Sequence, residues 1–186
     1  MGFLPVTAMP AAAAPVFDAL SGDHSVIQRD RPALIRGRAD PGEMITITLG
    51  AATQVVTADA QGRFQAGFAA LTKAGPIALS ARSDKGQVTA RDVVVGDVFL
   101  CSGQSNMELE VRNAQDAMGQ IRNSPDEQLR LMTVPREAAD QARQDFASAV
   151  SWKTASPESV PDFSAACYYM ARDLRKTAGV PIGAIS

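Results

Sequence analysis

Over residues 25–95 apolar and polar residues alternate with a period of two, and this alternation limits the possible folds more than any other feature of the chain. It is plainest in Ile45, Thr46, Ile47, Thr48 and Leu49, and returns in Phe64, Ala66 and Phe68 and in Ile77, Leu79 and Ala81. Successive side chains of a strand point to opposite faces, so the pattern predicts strands with one buried and one wet face. Turn-forming residues separate the runs: Asp40-Pro41-Gly42, Asp59-Ala60-Gln61-Gly62, Gly75-Pro76 and Asp84-Lys85-Gly86. Each supplies a preset φ or tolerates a positive one. Short strands with such turns, and no convincing helix between them, predict an antiparallel β-sandwich over residues 21–95.

Near Gly96 the pattern changes. Val98-Phe99-Leu100-Cys101 is a continuous apolar run, as expected of a strand covered on both faces in a parallel sheet. After Ser105 come Glu108 and Glu110, favourable near a helix start, and then a weaker helical spacing through Ala114, Ala117, Met118 and Ile121. Residues 129–134 read as a short strand. Residues 136–159 are polar, with Trp152 their one large anchor, and suggest a long covering loop. Ser164 is placed to cap a helix running to about Ala178, with Cys167, Ala171, Leu174 and Ala178 on one face and Arg172, Asp173, Arg175 and Lys176 on the other. Gly179 and Pro181 stop it, and residues 180–185 open another apolar strand. Strand, helix and strand make a βαβ unit. The expected fold is therefore α/β plus β, with the sandwich followed over residues 96–186 by the first part of a domain built on a parallel sheet.

Charge narrows the partners. The 18 basic and 20 acidic residues are interspersed and sum to −2, which gives no footprint for nucleic acid or an anionic membrane. No apolar run approaches the roughly 20 residues of a spanning helix. Residues 1–15 are small and apolar, with an Ala11 to Ala14 run but no Lys or Arg ahead of it. Residues 1–20 are read as the remnant of a secretory leader or a disordered tail, which points to a secreted or periplasmic location. Cys101 and Cys167 show neither C-x-x-C spacing nor a neighbouring His, so a metal or redox motif has no support, and they are expected to be buried free thiols.

The chemistry centres on Cys101-Ser102-Gly103-Gln104-Ser105-Asn106-Met107. This run sits where an apolar strand gives way to polar sequence, the carboxyl edge at which open α/β sheets place ligands. Gly103 permits a tight turn, and Ser105 at a helix start would aim its N–H outward, where it can stabilise an oxyanion. The Gly-x-Ser-x-Gly elbow is not met, because position 107 is Met. From the residues alone, Ser105 fits both a nucleophile and a helix cap. Gln104 and Asn106 fit both supporting roles beside it and local backbone bonding. Trp152, Tyr168 and Tyr169 fit both sugar stacking and core packing. Asp97 is a candidate for holding the domain junction.

The run from Gly96 to Glu108 resembles the first signature block of sialate O-acetylesterase-like enzymes, which are SGNH hydrolases. Val26-Ile27-Gln28-Arg29-Asp30, the run from Phe163 to Leu174, and Pro181-Ile182-Gly183 are similar to that family in the expected order. The resemblance spans about residues 21–186. It implies that residues 96–186 form the N-terminal part of an SGNH-type α/β/α domain, and that the protein removes acetyl groups from sugars by a Ser-His-Asp mechanism. Ser105 is then the catalytic nucleophile, its backbone N–H one oxyanion donor, and Gln104 and Asn106 supporting residues. The partner His and Asp of the family lie in a downstream Asp-x-x-His block, and its oxyanion Gly and Asn also lie beyond these residues. The chemistry needs no cofactor and no metal. His24, the one histidine, precedes the nucleophile and is expected to be a solvated or locally bonded residue. The implied partners are an acetylated carbohydrate and the remaining C-terminal part of the same protein, expected as a companion chain; these residues alone should be nearly inert. A same-family esterase of plant cell-wall glycans, and a non-catalytic carbohydrate-binding β-sandwich protein, remain open alternatives.

Overall fold

A computed structural model describes residues 13–143, 145–146 and 148–186. In chain order the strands of the first part are β1 (Val16–Phe17), β2 (Val26–Gln28), β3 (Ala33–Arg38), β4 (Met44–Leu49), β5 (Ala52–Thr57), β6 (Arg63–Phe68), β7 (Gly75–Pro76), β8 (Leu79–Ser83) and β9 (Gly86–Ala90). There follow β10 (Val94–Leu100), α1 (Ser105–Glu108), α2 (Ala117–Arg122), β11 (Asp126–Met132), β12 (Lys153–Ala155), α3 (Ala165–Ala178) and β13 (Ile182–Ile185).

The alternating segment forms two antiparallel sheets, ordered β1-β3-β6 and β5-β4-β8-β9. Strand β3 alternates strictly between buried and exposed residues. Ile35, Phe64, Ala66 and Phe68 from one sheet meet Ile45, Ile47, Leu49, Leu79 and Ala81 from the other in a single core, so period two in the sequence becomes one apolar face per sheet. Gly42 and Gly62 occupy positive φ (78° and 74°) in turns where the sequence placed them.

The second part is a six-stranded sheet ordered β12-β11-β13-β10-β2, with β7 also paired to β10; it is parallel except for β12 and β7, which pair antiparallel. Helix α3 links β12 to β13 and packs Cys167, Tyr168 and Ala171 onto Leu129, Leu131, Ile182 and Ala184. Its boundaries follow the sequence closely: Ser164 Oγ accepts from Cys167 N at 3.4 Å, and Gly179 closes the helix in the left-handed conformation.

Five expectations are corrected. Cys101 and Cys167 are joined in a disulfide, with Cα atoms 5.9 Å apart, because α3 lays its first turn beside the end of β10, a proximity that sequence separation cannot reveal. Strand β10 is not covered on both faces along its length: Val94, Val95 and Gly96 are buried, but Leu100 is 76% exposed. The helical spacing after Ser105 does not make one helix; it breaks into α1, a single 3-10 turn at Val111–Asn113 and α2, with Asp116 in the left-handed region between them. Of the tail, residues 1–12 lie outside the described residues, but residues 16–20 belong to the fold. There β1 pairs with β3, and Asp18 caps the turn Ala19–Ser21. Lastly, β2 lies inside the segment assigned to the sandwich yet pairs in parallel with β10, so the two parts interlock.

Candidate active site at the carboxyl edge of the parallel sheet

Strand β10 delivers the candidate site. Its pairing with β13 runs to Leu100↔Ile185 and is extended by Cys101 N–H donating to Ile185 O at 2.7 Å. The chain then leaves the sheet at its carboxyl edge, turns through Gly103, and starts α1 at Ser105. Gln104, not Ser105, occupies the N-cap position, so the reading of Ser105 as a helix cap does not hold. Gln104, Ser105 and Asn106 are all exposed. The Gln104 carbonyl accepts from Met107 N–H at 2.8 Å, while Met107 turns inward against the core beneath α3. A Cβ on Gly103 would lie 2.5 Å from Met107 Cγ, which is why the turn requires glycine here. Glu108 pairs with Arg136 from the loop beyond β11 at 2.5 Å.

The base of the same strand is held by residues that sequence reasoning noticed only as part of a resemblance. Arg29 grips Asp97 bidentately, Nε to Oδ1 at 2.7 Å and Nη2 to Oδ2 at 2.9 Å. Strand β2 pairs with β10 only as far as Gly96↔Gln28. Beyond that point the Gln28 side chain takes over, its Oε1 accepting from Val98 N–H at 2.8 Å. A side-chain amide thus supplies the ladder bond that a longer strand would have made. Asp97, midway along β10, does hold the junction; its partner Arg29 lies 68 residues earlier, a separation that no local signal bridges.

His24 is not brought to Ser105. It precedes β2 at the amino end of the parallel sheet, about 20 Å from the carboxyl edge at ~3.3 Å per residue of β10. There Nδ1 lies 2.7 Å from Asp92 Oδ2 and 3.2 Å from Arg130 Nη1. Arg130 itself is buried and binds Asp92 through both terminal nitrogens, at 2.5 and 3.0 Å. Arg130 holds the Asp92 carboxyl below its ordinary value; burial opposes this and His24 adds to it. Trp152 is buried with Val26, Val94 and Met132 and donates to Leu20 O at 3.3 Å; Tyr168 is buried under α3, where burial raises its hydroxyl pKa. Both are therefore packing residues. A cleft of about 1490 Å³ lies beside His24, Arg36 and Trp152 and does not include Ser105. Among the described residues no three His, Cys, Asp or Glu side chains gather in a way that would hold a metal ion, and no helix is long and apolar enough to cross a membrane.

A parallel sheet with an exposed polar turn on the carboxyl side of an inner strand is the layout of α/β proteins that handle ligands at that edge. No protein-family model matches the sequence. The sialate O-acetylesterases of Pongo abelii and Homo sapiens are each 28% identical to it over 171 residues, covering 83% of this chain and 33% of theirs. A crystal structure of a carbohydrate acetylesterase from Xanthomonas citri superposes with a TM-score of 0.86 at 34% identity, over 92% of this chain and 39% of that one. These similarities support a sialate O-acetylesterase-like family for the chain. It spans about a third of the length of the curated relatives it matches.

Proposed function

We propose that this chain carries the nucleophile of a carbohydrate O-acetylesterase, and that Ser105 is that nucleophile. The observation that carries the reading is the placement of Ser105, exposed in the first turn beyond β10 at the carboxyl edge of the parallel sheet. The names of the relatives, sialate O-acetylesterase and carbohydrate acetylesterase, supply the substrate class. On this reading the two antiparallel sheets are a β-sandwich, and residues 96–186 are the first part of an SGNH-type α/β/α domain.

In the reaction Ser105 Oγ attacks the acetyl carbonyl, and a histidine from outside these residues accepts the serine proton. The tetrahedral oxyanion is met by N–H donors that include the Ser105 backbone. Collapse breaks the ester bond, and the histidine returns the proton to the departing sugar oxygen. Water, deprotonated by the same histidine, then releases acetate from the acetyl-serine. General-base assistance is worth on the order of hundreds- to ten-thousand-fold, so with His24 at the opposite end of the sheet these residues alone turn over poorly. The companion they need is the remainder of the same protein. The disulfide between Cys101 and Cys167 favours an oxidising compartment, secreted or periplasmic.

The experiment uses the full-length protein, an acetylated sugar and a fluorophosphonate probe. Acetate release and probe labelling are expected, and Ser105→Ala is expected to abolish both. Undiminished acetate release by Ser105→Ala would show that another group is the nucleophile.

A further inference from the structure

We infer that the Cys101–Cys167 disulfide is a positioning device for Ser105, one jaw of a clamp that fixes the nucleophile segment to the first turn of α3; the inference rests on the esterase reading above.

Helix α1 has four residues. Nucleating a helical turn fixes several dihedrals for one hydrogen bond, so so short a helix has no stability of its own and must borrow its geometry. Both ends of the segment are tied to one place. At the front, Cys101 is bonded through sulfur to Cys167. At the back, Leu109 O accepts from Ala165 N–H at 2.7 Å, Glu110 bridges to Ser164, and Val111 N–H donates to Phe163 O at 3.0 Å. Residues 163–167 therefore hold both exits of the turn that carries Ser105. Cys167 is itself fixed, being 1% exposed with its N–H capped by Ser164 Oγ. The strand side of the front exit has one further tie, Cys101 N–H to Ile185 O, but nothing in that bond restrains the chain after Cα of Cys101. The disulfide does, because it leaves from the side chain toward α3. Cut it, and the loop 102–108 keeps only the inward packing of Met107 and the Glu108–Arg136 pair ahead of the Leu109–Ala165 tie, so its front half, with Ser105, swings more freely.

Nucleophile misplacement of about 1 Å costs on the order of 100-fold in rate, which sets the expected effect. In the full-length protein, Cys101→Ala/Cys167→Ala is compared with the native protein using 4-nitrophenyl acetate and a fluorophosphonate, at a temperature where circular dichroism shows both folded. The clamp predicts kcat and the labelling rate each falling about 10- to 100-fold, with KM changed less than about twofold. Backbone hydrogen exchange should quicken in residues 102–108 and stay as before in β11 and β13. Native kcat, or exchange unchanged in residues 102–108, would overturn it. If the double variant does not fold, the same labelling and exchange are read on native protein before and after reduction by dithiothreitol. That dithiol closes to its own disulfide as it delivers two electrons and two protons to the cysteine sulfurs. Hydrogen exchange reads the clamp without any turnover, so a native protein that neither hydrolyses nor labels defeats the esterase reading and leaves the clamp to be judged on exchange.

Discussion

Replacing Asp92 by Asn should destabilise the protein through the charge it leaves behind. Arg130 is 2% exposed and its guanidinium meets Asp92 through two nitrogens, whereas Asp92 is 46% exposed. Removing one partner of a fully buried pair costs about 3–5 kcal/mol, and exposed pairs are worth about 1 kcal/mol or less. A buried cation facing a half-exposed, solvent-screened carboxylate falls between, at about 2 kcal/mol. Among the described residues Arg130 Nε lacks a partner, and the one other side chain within reach of the guanidinium is His24, whose Nδ1 lies 3.2 Å from Nη1, so little is left to absorb the loss. Urea unfolding followed by circular dichroism measures it, and Asp92→Asn/Arg130→Met, which removes the stranded cation, should recover most of it. The carboxyl titrates below its ordinary value of 3.8 in the folded protein. Its contribution is therefore complete above that pH, shrinks as pH falls below it, and is gone once the native value is passed, so native and variant curves should converge in acid. A variant within about 0.5 kcal/mol of native at pH 7, the scale of an ordinary surface change, would refute the reasoning.

Two further changes probe the scaffold of the site. Gly96→Ala drives a methyl into the Pro181 carbonyl, which also accepts from Asp97 N–H at 2.9 Å; forced repacking of this kind costs about 2–3 kcal/mol, read as a lower urea midpoint with unchanged slope. Ser164→Ala removes the cap of α3; because the bond to Cys167 N is long at 3.4 Å, the loss should sit near the low end of the usual range, about 0.5–1 kcal/mol, by the same measurement.

The elements legible in the sequence were those whose cause is local. Alternation in Ile45 to Leu49 and in Phe64 to Phe68 survives as β4 and β6, and the Ser164 and Gly179 signals bound α3 within a residue. The position of Ser105 at a strand's end was legible for the same reason. What escaped is long-range. Cys101 and Cys167 lie 66 residues apart, and only the packing of α3 on β10 brings them together. Gln28 as a surrogate strand for Val98, and Arg29 as the partner of Asp97, likewise depend on a pairing of β2 with β10 across 68 to 70 residues. The spacing from Ala114 to Ile121 misled because Asp116 takes a left-handed conformation in its middle, which no apolar period encodes.

The half-length pairing of β2 on β10 bears on how such a chain can be recombined. A graft that takes residues 96–186 as a unit would strip the parallel sheet of its outermost strand and orphan the carboxylate of Asp97, while the donor would be left with a stretch around Val26 that has nothing to lie against. The seam between the two bodies runs through space along a shared beam, so a transplant that respects it must carry residues 26–29 together with everything after residue 93.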